Sequence, residues 1–130
     1  MESAVKMVVT VKRRQDLSRD QFLSYWTNQH ADLVRSLQAD LRLKRYVQSP
    51  NIFSAATAEF ADARGCAEPC DGIAELWWTS EDDMIAAFAS EEGQRASALL
   101  AEDEARFFDV PSFTMFLSHE NIVLTRDLDD

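Results

Sequence analysis

Glycine and proline are scarce in this chain, with three of each in 130 residues. That scarcity excludes collagen-like, low-complexity and linker-dominated sequence. Cysteine is scarcer still: Cys66 and Cys70 flank Ala-Glu-Pro. A C-x-x-x-C pair with no further Cys and no nearby His cannot supply the four ligands of a tetrahedral zinc site. The pair is a redox couple or two free thiols in a reducing cytosol, and the thiols are the simpler reading. Long apolar runs are missing as well. Met7-Val8-Val9 is interrupted by Thr10 and Lys12, so no signal segment or membrane-spanning helix is expected, and a cytoplasmic location is. Positive charge is short in the second half: residues 1–65 hold 10 basic against 7 acidic side chains, and 66–130 hold 3 against 16. Nucleic-acid binding needs clustered Lys and Arg, so it is not expected. Lys12-Arg13-Arg14 reads as a solvated strand end.

The chain instead has a core. At 46% hydrophobic content, it suits one domain over residues 1–130. Residues 5, 7, 9 and 11 alternate as Val, Met, Val and Val, the period of a strand. Ser18 with Gln21 makes a capping box that predicts a helix from there to about Ala39. Leu41, Leu43, Arg45 and Val47 predict a second strand. Residues 50–69 read as a long loop with at most one helical turn, a candidate lid. Asp71-Gly72 leads into a third strand, Ile73 to Thr79, and Ser80 caps the next helix over three acids. That helix is expected to bury Ala86, Ala87 and Phe88. A further helix over about Glu91–Phe107 is expected to turn Ala98, Ala101 (or Glu102), Ala105 and Phe108 to one side. Pro111 to His119 alternates as the last strand, and an acidic tail at about 125–130 is expected to fray.

A β-α-β-β-α-β order predicts a ferredoxin-like α+β sandwich with an antiparallel sheet. Helices cover one face of such a sheet. Both alternating sets of the first and third strands are apolar here, and Trp77 and Trp78 must point to opposite faces. An uncovered apolar face predicts a homodimer packed sheet against sheet.

The most informative stretch is Phe22-x-x-Tyr25-Trp26-x-x-x-His30-Ala-x-Leu33. At about 100° per residue, Phe22, Trp26, His30, Leu33 and Leu37 share one helical stripe. A histidine on such a stripe is a hydrogen-bonded core residue or a site group, and its charge changes near neutral pH. Tyr25 lies at the stripe's edge, where its hydroxyl can reach a ligand, while Trp26 packs or lines the core. Glu75 shares a strand face with Ile73 and Trp77. Its carboxyl is a buried acid, or it forms a salt bridge with Arg42, Lys44 or Arg45. His119, at the end of the last strand, reads as a surface or interface residue. No hydrolase-elbow, dinucleotide or P-loop sequence occurs. His30 and Asp32, two apart on a helix, do not face each other.

Three places in the chain together resemble the EthD-like branch of the dimeric α/β-barrel superfamily. They are the Phe22–Leu33 motif, the run Asp71-Gly72-Ile73-Ala74-Glu75-Leu76-Trp77-Trp78, and Glu102-Asp103-Glu104-x-x-Phe107-x-Asp109. The resemblance implies a homodimer with a pocket in each subunit between sheet and helices. It also implies a link to the breakdown of small organic compounds or to aromatic polyketide pathways. Related barrels include cofactor-free isomerases, polyketide cyclases, monooxygenases and haem-binding enzymes. The expectation drawn from it is a cofactor-independent enzyme of isomerase, cyclase, dehydratase or lyase type, acting by proton transfer on an apolar oxygenated ring, lactone or polyketide-like compound. His30, Tyr25 and Glu75 are the catalytic candidates, and Phe22, Trp26, Tyr46 and Trp77 the expected walls. A monooxygenase, with or without haem, and a non-catalytic small-molecule carrier are the alternatives.

Overall fold

The computed structural model describes residues 4–128. Four strands, β1 (Val5–Val11), β2 (Arg45–Pro50), β3 (Gly72–Trp78) and β4 (Thr114–Ser118), form one sheet in the order β2-β3-β1-β4, with every neighbouring pair antiparallel. Helices α1 (Arg19–Tyr25), α2 (Ala31–Ser36) and α3 (Gln38–Leu41) lie between β1 and β2, and α4 (Ala55–Arg64) between β2 and β3. Helices α5 (Glu81–Ala89) and α6 (Glu91–Glu104) lie between β3 and β4. This is the ferredoxin-like α+β arrangement expected from the sequence, with α4 added. Among the described residues no helix is long and apolar enough to cross a membrane.

The core sits between the sheet and one helical layer. Val5, Val34, Leu37, Leu41, Leu43, Trp78, Met84 and Ala96 form one cluster, and Val9, Val11, Phe22, Trp26, Ala74, Phe107 and Phe108 form the other. Met7, Tyr46 and Leu76 pack against both. Two glycines permit close approaches. A Cβ on Gly72 would lie 2.8 Å from the Ser49 carbonyl oxygen and 2.9 Å from the Trp26 ring. On Gly93 it would lie 1.8 Å from the Ala87 carbonyl oxygen, where α5 turns into α6.

The helix expected to run unbroken to Ala39 is broken twice. Ser18 and Gln21 do form the capping box, but α1 opens into a π-helical turn at Trp26–His30 and α2 ends at Leu37. Thr27 and Asn28 are poor helix formers that bond locally. Here Thr27 Oγ1 donates to the Leu23 carbonyl (2.7 Å) and Asn28 Nδ2 to the Ser24 carbonyl (2.9 Å). Gln48 Nε2, from β2, donates to the Trp26 carbonyl (2.8 Å). The wider turn keeps Phe22, Trp26 and His30 inward and hands the buried stripe on to Ala31 and Val34, with Leu33 only half-buried. Arg42 then takes a left-handed conformation (φ 56°) that ends α3, so β2 begins at Arg45 and Leu41 belongs to the helix.

Three further expectations are corrected. The 50–69 stretch holds a ten-residue helix, α4, with no buried residue. An Ala-rich helix without an apolar stripe has no periodicity to betray it. In α5 the buried residues are Met84 and Ala87, while Ala86 is exposed and Phe88 half-buried. The inner face of α6 is Gly93, Ala96, Leu100, Asp103 and Glu104, and Ala98, Ala101 and Ala105 point to solvent. Alanine has little area to bury, so the larger Leu100 and the polar pair set the face. Residues 119–128 carry no helix or strand, and the rest of the expected frayed tail lies outside the described residues.

Candidate functional site

The π turn aims His30 at α6. Its side chain, 5% exposed, sets Nδ1 2.8 Å from Asp103 Oδ2. Tyr25 Oη donates to the other oxygen, Oδ1, at 2.5 Å, and Arg106 Nη1 donates to the same oxygen at 2.9 Å. Asp103 is therefore a buried carboxylate with three donors, from α1, the π turn and the residues just past α6. Burial alone would raise its pKa, but the hydrogen bonds from Tyr25, His30 and Arg106 together hold it below the ordinary carboxylate value. Burial lowers the His30 pKa, with Asp103 opposing, and the net shift is downward. The imidazole is thus neutral at neutral pH. An ionised carboxylate only accepts, so the proton sits on Nδ1 and the lone pair on Nε2. No hydrogen bond to Nε2 is made among the described residues. Tyr25 is held in its phenol form by its bond to Asp103 and by burial.

His30 lines a small cavity of about 60 Å³ between sheet and helices, walled by Val9, Val34, Tyr46, Leu76, Leu100 and Phe108 among others. Its ring packs against Phe107 (4.9 Å between centroids) and edge-on to Phe108 (5.8 Å). Glu104 also lines the cavity. Unlike Asp103 beside it, its carboxyl makes no hydrogen bond or ion pair among the described residues. Burial, reinforced by the Asp103 charge, pushes its pKa up to about 7. Burial likewise raises that of Tyr46, whose hydroxyl accepts from Gln48 Nε2 at 3.1 Å.

Of the sequence candidates, His30 and Tyr25 meet at Asp103, Tyr46 lines the cavity, and Phe22 and Trp26 form the aromatic packing behind it. Glu75 and Trp77 do not join them. Both project from the helix-free face of the sheet, because Glu75 pairs in register with Val8 and Trp77 with Lys6. Glu75 accepts from Lys6 Nζ at 2.7 Å, so its partner is Lys6 and not Arg42, Lys44 or Arg45. The Arg45 guanidinium (4.7 Å) and Lys6 (5.4 Å) lie over the Trp77 ring. His119 is exposed, with Nδ1 3.0 Å from the Ala4 carbonyl oxygen. No residue of 50–69 lines the cavity.

Sequence reasoning missed Asp103 and Glu104 as site residues. The signal was the spacing Gly93, Ala96, Leu100, Asp103/Glu104, Phe107, a helical stripe in which two acids stand where apolar residues belong. Among the described residues, no group of three or more His, Cys, Asp or Glu side chains is placed to hold a metal ion.

A ferredoxin-like α+β domain with a histidine–carboxylate pair on the wall of an apolar cavity is the class of protein these features define. The chain belongs to the EthD family: the EthD domain matches residues 14–111. Among solved structures it is similar to an EthD-like protein from Ralstonia eutropha JMP134 (15% identity, TM-score 0.63, all of both chains covered). It is also similar to a dimeric protein of unknown function and ferredoxin-like fold from Bacteroides fragilis (15%, TM-score 0.57, 90% of this chain and 96% of that one). A third is SnoaB, a cofactor-independent oxygenase from Streptomyces nogalater (12%, TM-score 0.52, 95% and 99%). At these identities the likeness is one of fold. No curated protein matches the chain.

Proposed function

We propose that this protein is a small cofactor-independent enzyme that moves a proton on an apolar, oxygenated ring compound, with His30 as the base. The observation that carries the reading is the buried His30–Asp103 pair, which fixes the proton on Nδ1 and leaves the Nε2 lone pair for a ligand in an apolar cavity. Isomerisation, cyclisation and dehydration all begin with such a transfer. Tyr25 and Arg106 act through Asp103, holding the carboxylate and so the imidazole. A cavity that holds benzene measures about 150 Å³, so a ring enters the present 60 Å³ space only with rearrangement of its lining side chains. A porphyrin finds no room in the cavity as it stands.

The likeness to SnoaB favours one second reading, a cofactor-independent oxygenase. The same base would deprotonate a hydroxylated ring, whose anion then reacts with dioxygen. The assembly we propose is a homodimer through the helix-free sheet face, which carries Val8, Val47, Ile73 and Phe116 around the Lys6–Glu75 ion pair.

Exchange of acidic C–H protons for deuterium, at the α-carbons of cyclohexanone and at the ring methylene of anthrone, tests the main reading by NMR in D₂O. The wild type should accelerate exchange, and His30→Gln should lose about 10²–10⁴-fold of that rate. Binding without exchange would refute the enzyme reading and leave a carrier. Oxidation of anthrone without exchange of the ketones would select the oxygenase.

A further inference from the structure

Asp103 and Glu104 are consecutive acids on α6 with opposite surroundings. Asp103 is satisfied by three donors, whereas the Glu104 carboxyl has no partner among the described residues and stands on the same cavity wall as His30. An acid on a helix face normally turns to water or finds a cation. Glu104 finds no cation and keeps only part of its contact with water, and Arg106 is occupied with Asp103 and Glu102.

Resting on the reading of His30 as a base, we propose that Glu104 is its acid partner: the substrate is an uncharged, enolisable ring ketone whose carbonyl oxygen takes a hydrogen bond, then a proton, from Glu104 while His30 Nε2 takes a proton from the adjacent carbon. The C–H electron pair becomes the new C=C bond and the carbonyl π pair moves to oxygen, which is protonated by Glu104. The products of the step are an enol, an imidazolium and a carboxylate. Where the ring carries a β,γ double bond the enol is a dienol: return of the imidazolium proton to the γ-carbon, with the double bond shifting into conjugation and the enol proton going back to Glu104, completes an isomerisation that needs no co-reactant.

The groups facing Glu104 fit this role. His30 comes from the π turn and the Tyr46 hydroxyl from β2, while β1 and β3 contribute only Val9, Val11, Ala74 and Leu76. Asp103, next in the chain, is the nearest fixed charge and is negative. No lysine or arginine lines the cavity and Glu104 does, so a carboxylate-bearing ring meets an acid and no cation. A neutral carboxyl and a neutral imidazole lining one cavity suit concerted acid–base transfer, and burial supports it by keeping Glu104 protonated up to about pH 7.

The test is the pH profile of cyclohexanone α-deuteration. The wild type should rise as His30 loses its proton below pH 6.5 and fall as Glu104 ionises near pH 7. In Glu104→Gln the falling limb should disappear and the maximal rate drop by about 10²-fold, while His30→Gln is slow at every pH. A falling limb that survives in Glu104→Gln overturns the assignment. Binding gives a second readout, free of turnover: at pH 8 the wild type should bind cyclohexanone and reject cyclohexanecarboxylate, and Glu104→Gln should weaken that discrimination at least tenfold. Equal binding of the two by the wild type overturns the proposal even where His30-dependent exchange stands. Loss of exchange with no difference between wild type and His30→Gln instead removes the base reading, and the proposal with it.

Discussion

Replacing Asp103 by asparagine changes few atoms and should abolish the base. The two carboxylate oxygens are not equivalent: Oδ1 accepts from Tyr25 and Arg106, and Oδ2 from His30 alone. An asparagine that keeps its carbonyl at the Oδ1 position retains two acceptances, and the flipped amide retains one. With hydrogen bonds to charged groups worth about 1.5–3 kcal/mol, the unflipped amide wins and its NH₂ faces His30 Nδ1. A donor facing Nδ1 requires a lone pair there, so the imidazole proton moves to Nε2. The nitrogen at the cavity then donates and can no longer take a proton. Ketone exchange should fall by about 10²–10⁴-fold. Stability should fall by only about 1–2 kcal/mol, since every donor and acceptor still has a partner. Long-range ¹H–¹⁵N NMR of the histidine ring reports the tautomer, and exchange in D₂O reports the rate. An Asp103→Asn protein that keeps its proton on Nδ1, or that exchanges within a few-fold of wild type, would refute the reasoning.

Two other outcomes follow from the same geometry. Glu104 has a raised pKa, so the stability it permits is present in full below about 4.5 and is lost as pH rises through about 7. That displacement is worth about 3 kcal/mol in full burial, discounted to about 2 kcal/mol for the solvent contact the carboxyl keeps. Glu104→Gln should therefore be more stable than wild type at pH 8 and indistinguishable at pH 4 in urea unfolding; a gain at both would contradict the assignment. Phe116 is 59% exposed in the single chain on the helix-free face. Phe116→Glu should leave the fold intact and convert a dimer into a monomer by light scattering, because the interface would bury an unpaired charge; a wild type that is already monomeric rules out this interface.

The sheet was legible because each strand alternates and is bounded by a cap or turn. Ser18, Ser80 and Asp71-Gly72 mark ends that the structure keeps. Helix α4 was invisible for want of an amphipathic stripe, and its surface has nothing to bury. Half of the candidate site was readable, since a histidine in place of a leucine stands out against an apolar stripe. The other half was harder to read, because the stripe through Gly93, Ala96 and Leu100 that marks Asp103 and Glu104 competes with a second face made by Ala98, Ala101 and Ala105. Asp103 is chosen by Tyr25 and His30, residues more than 70 positions away. Trp77 failed as a wall for a different reason. Strand alternation places it opposite Trp78, and Trp78 takes the inner position with its Nε1 donating to the Leu41 carbonyl at 2.8 Å.

The π turn at Trp26–His30 gives this helix a shift of phase, much as an inserted base shifts a reading frame. Upstream, Phe22 and Trp26 belong to one frame of inward positions; downstream, Ala31, Val34 and Leu37 belong to another, and His30 stands at the junction. Removing one residue between Trp26 and His30 would restore a regular helix and rotate one half against the other by about 100°. Either the aromatic core or the meeting with Asp103 would then be lost. The spacing from Trp26 to His30 is accordingly a length that evolution can change only by moving the histidine as well.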